Sequence, residues 1–86
     1  MPALDDRRRR VLYRANHRGM KENDVLLGGF ARAHLAELSE AEIGALEVLL
    51  EEFDADILDW ATGRAPLPGH VDGALFAKVM KFKPYA

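Results

Sequence analysis

Ser39 and Glu42 stand three residues apart, and behind them apolar side chains recur at Ile43, Leu46, Leu49, Leu50 and Phe53. A serine with a glutamate at that offset makes a capping box, in which each side chain satisfies a backbone N–H left free at a helix start. The apolar spacing that follows keeps one stripe on a 3.6-residue period. The alternative pattern is missing: nowhere does a β-branched run alternate apolar and polar residues over four or more positions. A chain written this way has to bury its apolar residues by packing helix on helix.

The remaining segments read the same way. Asp5 and Asp6 precede Arg7–Arg10, the order a helix dipole favours, and Leu4, Arg8, Val11, Leu12 and Ala15 share one helical face. Asn16 and Gly19 mark the exit from that helix. A second helix begins near Met20 or Lys21, with Glu22 and Asp24 in its first turn and Leu26, Leu27, Phe30 and Ala31 as its apolar face. Gly28 and Gly29 inside it cost up to ~1 kcal/mol each against alanine, which points to a close backbone neighbour or a bend. Asp54 is placed to cap a short fourth helix through Ile57, Leu58, Trp60 and Ala61, ended by Gly63, with Trp60 expected in the core. GRAPLPG, residues 63–69, is a loop, because its prolines and flanking glycines cannot continue a helix. Asp72 caps a fifth helix carrying Leu75, Phe76, Val79 and Met80, with Lys78, Lys81 and Lys83 toward its end and Pro84 beyond. The expected fold is all-α: a compact single-domain bundle of about five short helices over residues 1–86.

Size and composition bound what such a bundle can do. With 86 residues and no cysteine, the core has no disulfide framework or thiolate metal site to support it and little room for a deep pocket. No apolar run approaches the ~20 residues of a membrane-crossing helix, and MPALDDRRRR has no hydrophobic segment after its charges. The expectation is a cytoplasmic chain without membrane insertion. Charge is segregated along it. Residues 1–34 carry eight Lys/Arg against four Asp/Glu, residues 35–63 carry nine acids and no Lys/Arg, and residues 64–86 carry four Lys/Arg against one acid. Either the two ends fold back on the acidic middle, or opposite faces meet different partners; solvated helix surfaces of opposite sign remain the plainer account.

Chemistry is poorly supplied. His17, His34 and His70 lie on three different segments without metal-ligand spacing, so no metal site is expected. No nucleophile motif or phosphate-binding glycine loop occurs, Ser39 serves as a cap, and the carboxylates of residues 47–59 read as a solvated helix face. No catalytic residue is assigned. Arg7–Arg10 with Arg14 and Arg18 invite a nucleic-acid reading, but adjacent arginines fan around a helix and no aromatic platform interleaves with them.

HRGMKE, residues 17–22, is the feature left over. Read locally, Gly19 stops a helix and Arg18 with Glu22 forms an exposed ion pair worth ~0–1 kcal/mol; read functionally, the same residues form a surface built to grip a partner. On the functional reading, removing Arg18 or Glu22 is expected to leave the fold largely intact and weaken binding; on the local reading it is expected to shift melting modestly and leave function normal. The wider context is YRANHRGMKENDVLLGGFA, with RGxxE at Arg18, Gly19 and Glu22, then Asp24, an acidic helix, and DILDWATG carrying Asp59, Trp60 and Gly63. Over most of its length the chain resembles the SdhE family of small helical assembly factors. Asn23 departs from the resemblance, since an apolar residue is expected there.

The resemblance implies binding rather than catalysis. Such proteins dock on the flavoprotein subunit of succinate dehydrogenase, and in some bacteria on that of fumarate reductase, and favour covalent attachment of FAD to that client. The candidate partner-binding residues are then Arg14, His17, Arg18, Gly19, Glu22 and Asp24. In that role Gly19 permits close approach or a positive φ, Arg18 offers a planar fork, and Glu22 orients Arg18 or accepts from the client. The expected protein is a monomer that holds no flavin tightly. Two alternatives stand beside it: a helical interaction module for a different partner, and a nucleic-acid binder using the N-terminal arginine run.

Overall fold

A computed structural model describes residues 4–82, and among them the chain forms five helices and no strand. Helix α1 spans Asp6–Asn16, and Asp5 caps it by accepting from the Arg8 N–H at 2.8 Å. Helix α2 is a continuous rod made of Lys21–Asn23, a π-helical turn Asp24–Gly28, and Gly29–His34, closed by the 3-10 turn Leu35–Glu37. Helices α3, Glu40–Leu50, α4, Asp54–Ala61, and α5, Gly73–Phe82, complete the bundle.

The local signals translate directly into structure. Ser39 and Glu42 form both halves of the capping box, at 3.1 and 2.9 Å. Asp72 accepts from the Leu75 N–H at 3.0 Å, and Gly63 ends its helix region at φ +77°. The terminators assigned to Lys83 and Pro84 lie outside the described residues. Gly28 and Gly29 both face close neighbours. A Cβ at Gly28 would collide with the Asn16 side chain and press on the Ala15 carbonyl at 3.3 Å, while one at Gly29 would meet the Phe82 ring at 2.8 Å. The helix also widens there into its π turn, so close approach and local distortion occur together.

The core draws on every helix, with Val11, Leu27, Phe30, Ile43, Leu46 and Ile57 among its buried members, and half-buried Trp60 packs against it. Opposite charges bring the ends onto the middle. Arg7 donates to both Glu47 oxygens at 2.6 and 3.1 Å, Arg14 pairs with Glu51 at 3.2 Å, and Lys78 pairs with Glu42. Arg8 pairs with Glu40 at 3.3 Å and Asp5 at 2.8 Å and also reaches two backbone carbonyls, Leu35 at 3.2 Å and Leu38 at 2.7 Å. The basic first helix thus folds back on the acidic middle.

Two expectations fail, both at the α3–α4 junction. Phe53 is not the last residue of a buried stripe: α3 ends at Leu50, and Phe53 stands 79% exposed at the N-cap of α4. Asp54 is not the cap of α4, which has no side-chain cap bond, because its carboxylate turns inward to a different partner.

Candidate functional site

The partner that claims Asp54 is Arg18. Between α1 and α2 the chain reverses through residues 17–20, and Gly19 makes the turn possible with φ +91°, a conformation that L side chains rarely adopt. Beyond its own chain neighbours, no heavy atom of the described residues lies within 4 Å of where its Cβ would be, so Gly19 is needed for its backbone angle and not for internal room. Asp24 secures the turn from the far side, accepting from the Arg18 N–H at 2.8 Å.

The turn aims the Arg18 side chain across the bundle. Its Nε donates to Asp54 Oδ1 at 2.6 Å, Nη1 to the Leu50 carbonyl at 2.8 Å and Nη2 to the Glu52 carbonyl at 2.6 Å. Leu50 closes α3, where carbonyls lack intrahelical partners and the helix dipole is negative, so a guanidinium supplies both hydrogen bonds and charge. Asn23, fully buried in the first turn of α2, donates its Nδ2 to the Asp54 carbonyl at 3.0 Å and to Oδ1 at 3.1 Å. The polar residue where an apolar one is expected therefore joins the brace, although its own Oδ1 is buried without a hydrogen-bond partner.

This geometry changes the roles read from the hexapeptide. Arg18 is 10% exposed at its side chain and pairs with Asp54, not Glu22. Its fork is already occupied by the fold. The expectation that Arg18→Ala leaves folding intact is withdrawn, because that change strands two carbonyls and a part-buried carboxylate. Glu22 lies exposed in the first turn of α2, with no hydrogen bond or ion pair among the described residues. His17 is exposed, stacks on Tyr13 with ring centroids 4.0 Å apart, and makes a 2.7 Å Nδ1 contact with the Tyr13 carbonyl. That contact places the proton of a neutral ring on Nδ1 and leaves Nε2 as an acceptor. Arg14, one residue from Tyr13, ties this edge of α1 to Glu51.

All six sequence-assigned residues thus gather around one junction, in two layers. Arg18 and Asp24 hold the turn together from within; Gly19, Glu22 and His17 show at the surface, with Arg14 half exposed beside them. Sequence reasoning did not connect Asp54 or Asn23 to this junction. Asn23 carried a usable signal, since a polar residue three and four positions ahead of Leu26 and Leu27 on an apolar face needs a buried partner. No helix among the described residues is long and apolar enough to cross a membrane.

The model of the family described as "Flavinator of succinate dehydrogenase" matches residues 9–83. The FAD assembly factor SdhE of Acetobacter pasteurianus is 47% identical over 65 residues, covering 76% of this chain and 60% of that protein. The mitochondrial succinate dehydrogenase assembly factor 2 of Saccharomyces cerevisiae is 43% identical over 68 residues, covering 76% of this chain and 42% of its own length. Its namesake in Danio rerio is 38% identical over 82 residues, covering 93% of this chain and 52% of that protein. This chain therefore spans between 42% and 60% of the lengths of these relatives. With the match running from the arginine run through α5, the chain belongs to the family of succinate dehydrogenase flavinators.

Proposed function

We propose that this chain is an assembly factor that docks on the flavoprotein subunit of succinate dehydrogenase and promotes covalent attachment of FAD to it. The observation that carries the reading is the family match over residues 9–83, which includes the whole braced junction. The site's chemistry suits docking. Gly19 and Glu22 form an exposed edge on a backbone held by Arg18, Asp24 and Asn23, and an edge fixed before binding loses little freedom on binding. In this reading the flavin and the client supply the bond-forming chemistry, and the bundle holds client groups in a productive orientation. The factor is a cytoplasmic monomer, is not an enzyme, retains no flavin itself, and accepts a fumarate reductase flavoprotein as a second client. Arg7, Arg8, Arg14 and Arg18 all meet carboxylates or carbonyls of the bundle, which speaks against a nucleic-acid role for the arginine run.

The test is expression in cells lacking their own factor, with covalent flavin on the flavoprotein subunit read by fluorescence after denaturing electrophoresis. The wild-type chain restores the signal. Glu22→Ala lowers it while the melting temperature stays within about 2 °C, as an exposed substitution should. Absence of rescue by the wild-type chain overturns the reading.

A further inference from the structure

Phe53 breaks two local rules at one position. It is 79% exposed, more than Tyr13, Val48 or Val25, the other exposed large apolar residues among those described. It also occupies the N-cap of α4 without a side-chain cap bond, where Ser, Asp or Asn would satisfy a free N–H. Neither choice favours the isolated fold. Residues that oppose local stability without compensation mark functional positions.

The backbone around Phe53 is held with unusual care. Arg18 binds the carbonyl of Glu52 on one side and the carboxylate of Asp54 on the other, and Asn23 binds the Asp54 carbonyl. The ring is therefore displayed from a fixed turn, adjoining the Gly19–Glu22 edge through the same brace. Such a preorganised aromatic side chain is the kind of group that dominates an interface. The charge around it sets the partner's chemistry. Glu51 and Asp54 already pair with Arg14 and Arg18, and His70 Nε2 lies 3.3 Å from a Glu52 oxygen. Asp56, one turn beyond Phe53, and Glu22 are exposed and have no hydrogen bond or ion pair among the described residues.

We infer that Phe53 is the apolar anchor of the docking surface, seated in an apolar socket of the flavoprotein subunit whose rim carries Lys or Arg side chains facing Glu22 and Asp56. This rests on the assembly-factor reading above. The pairing of one buried ring with a polar, oppositely charged border is the ordinary anatomy of a specific interface.

The experiment measures melting temperature and affinity for the purified apo flavoprotein subunit of the same organism's succinate dehydrogenase. Phe53→Ser is the decisive variant, because serine supplies the missing cap. Its melting temperature should equal or exceed that of wild type, while affinity falls about tenfold or more, as loss of an anchor does. Phe53→Leu keeps affinity within about threefold, and Val48→Ser, an exposed apolar control on α3, within about twofold. Phe53→Ser binding within about twofold of wild type overturns the anchor and leaves the docking reading standing. A clear fall in its melting temperature also overturns the anchor, by making Phe53 structural. A wild-type chain that does not bind the subunit at all overturns both.

Discussion

Arg18 and Arg7 use the same side chain for the same broad purpose, joining the basic start of the chain to its acidic middle. Their surroundings differ. Arg7 meets Glu47 as a fork of two bonds at 2.6 and 3.1 Å, on a surface where both side chains remain about one-third exposed. Arg18 is 10% exposed at its side chain and divides its donors among one carboxylate and two backbone carbonyls. Water can replace Glu47 around Arg7 at small loss. Nothing comparable can replace Arg18, whose removal leaves polar groups unsatisfied inside the fold. What distinguishes a structural arginine is the groups left behind when it goes.

The largest test of that contrast is Arg18→Ala. Loss of a part-buried, charge-assisted set of bonds should reduce stability by about 3 kcal/mol and lower the melting temperature by roughly 12–24 °C for a domain this small. Arg18→Lys keeps the charge without the fork and should fall between wild type and alanine. If Arg18→Ala melts within about 3 °C of wild type, the brace contributes no more than the Arg7 pair and the distinction collapses. Gly28→Ala comes next, at about 1–3 kcal/mol, because a Cβ there meets Asn16 and the Ala15 carbonyl; overpacking outweighs the better helix propensity of alanine. Urea denaturation reads it directly.

Gly19→Ala isolates backbone strain. Open space surrounds the Cβ position, so only the φ of +91° is penalised, and the loss should be about 1–2 kcal/mol. Asparagine at the same place should recover part of it, since Asn tolerates the left-handed region better than alanine. The smallest effect belongs to the exposed pairs. Arg7→Ala should change stability by at most ~1 kcal/mol, and by less in high salt.

Acid titration reads the exposed pairs in another way. The Arg7 guanidinium, by hydrogen bond and charge, holds the Glu47 carboxyl below its usual range. Lys78, followed by the Ser39 N–H, does the same for Glu42. Both carboxyls titrate lower in the folded chain than in the unfolded one. Their contribution is therefore present above the ordinary carboxylate pKa of about 4 and is lost as pH falls through the lowered folded values. Denaturation midpoints should fall from about pH 5 downward, and Glu47→Gln should make that fall shallower. An unchanged slope would assign the acid sensitivity elsewhere.

Legibility in the sequence follows the range of the interactions. The Ser39–Glu42 box and the Asp72 cap each act across three residues, so spacing alone reveals them. Gly28 and Gly29 were readable as a close approach, though not that Asn16 and Phe82 are what approach them. The Arg18–Asp54 bond joins residues 36 apart, and no periodicity links the two. Read locally, Asp54 looks like a cap and Phe53 like the end of a stripe. The long-range claim of Arg18 on this turn overrides both. RGxxE drew attention to this junction by resemblance, yet its arginine, read there as a surface fork, is kept inside by the fold.

That long reach carries a consequence for the timing of synthesis. The motif's arginine emerges with the first quarter of the chain, but its three acceptors lie 32 to 36 residues later. A nascent chain that has reached Asp24 without residues 50–54 has the local bond of the turn but none of the acceptors for the Arg18 side chain. Closing so long a loop is rewarded only when both ends can pack. The braced form of the junction therefore arrives only when residues 50–54 have been made and packed against it.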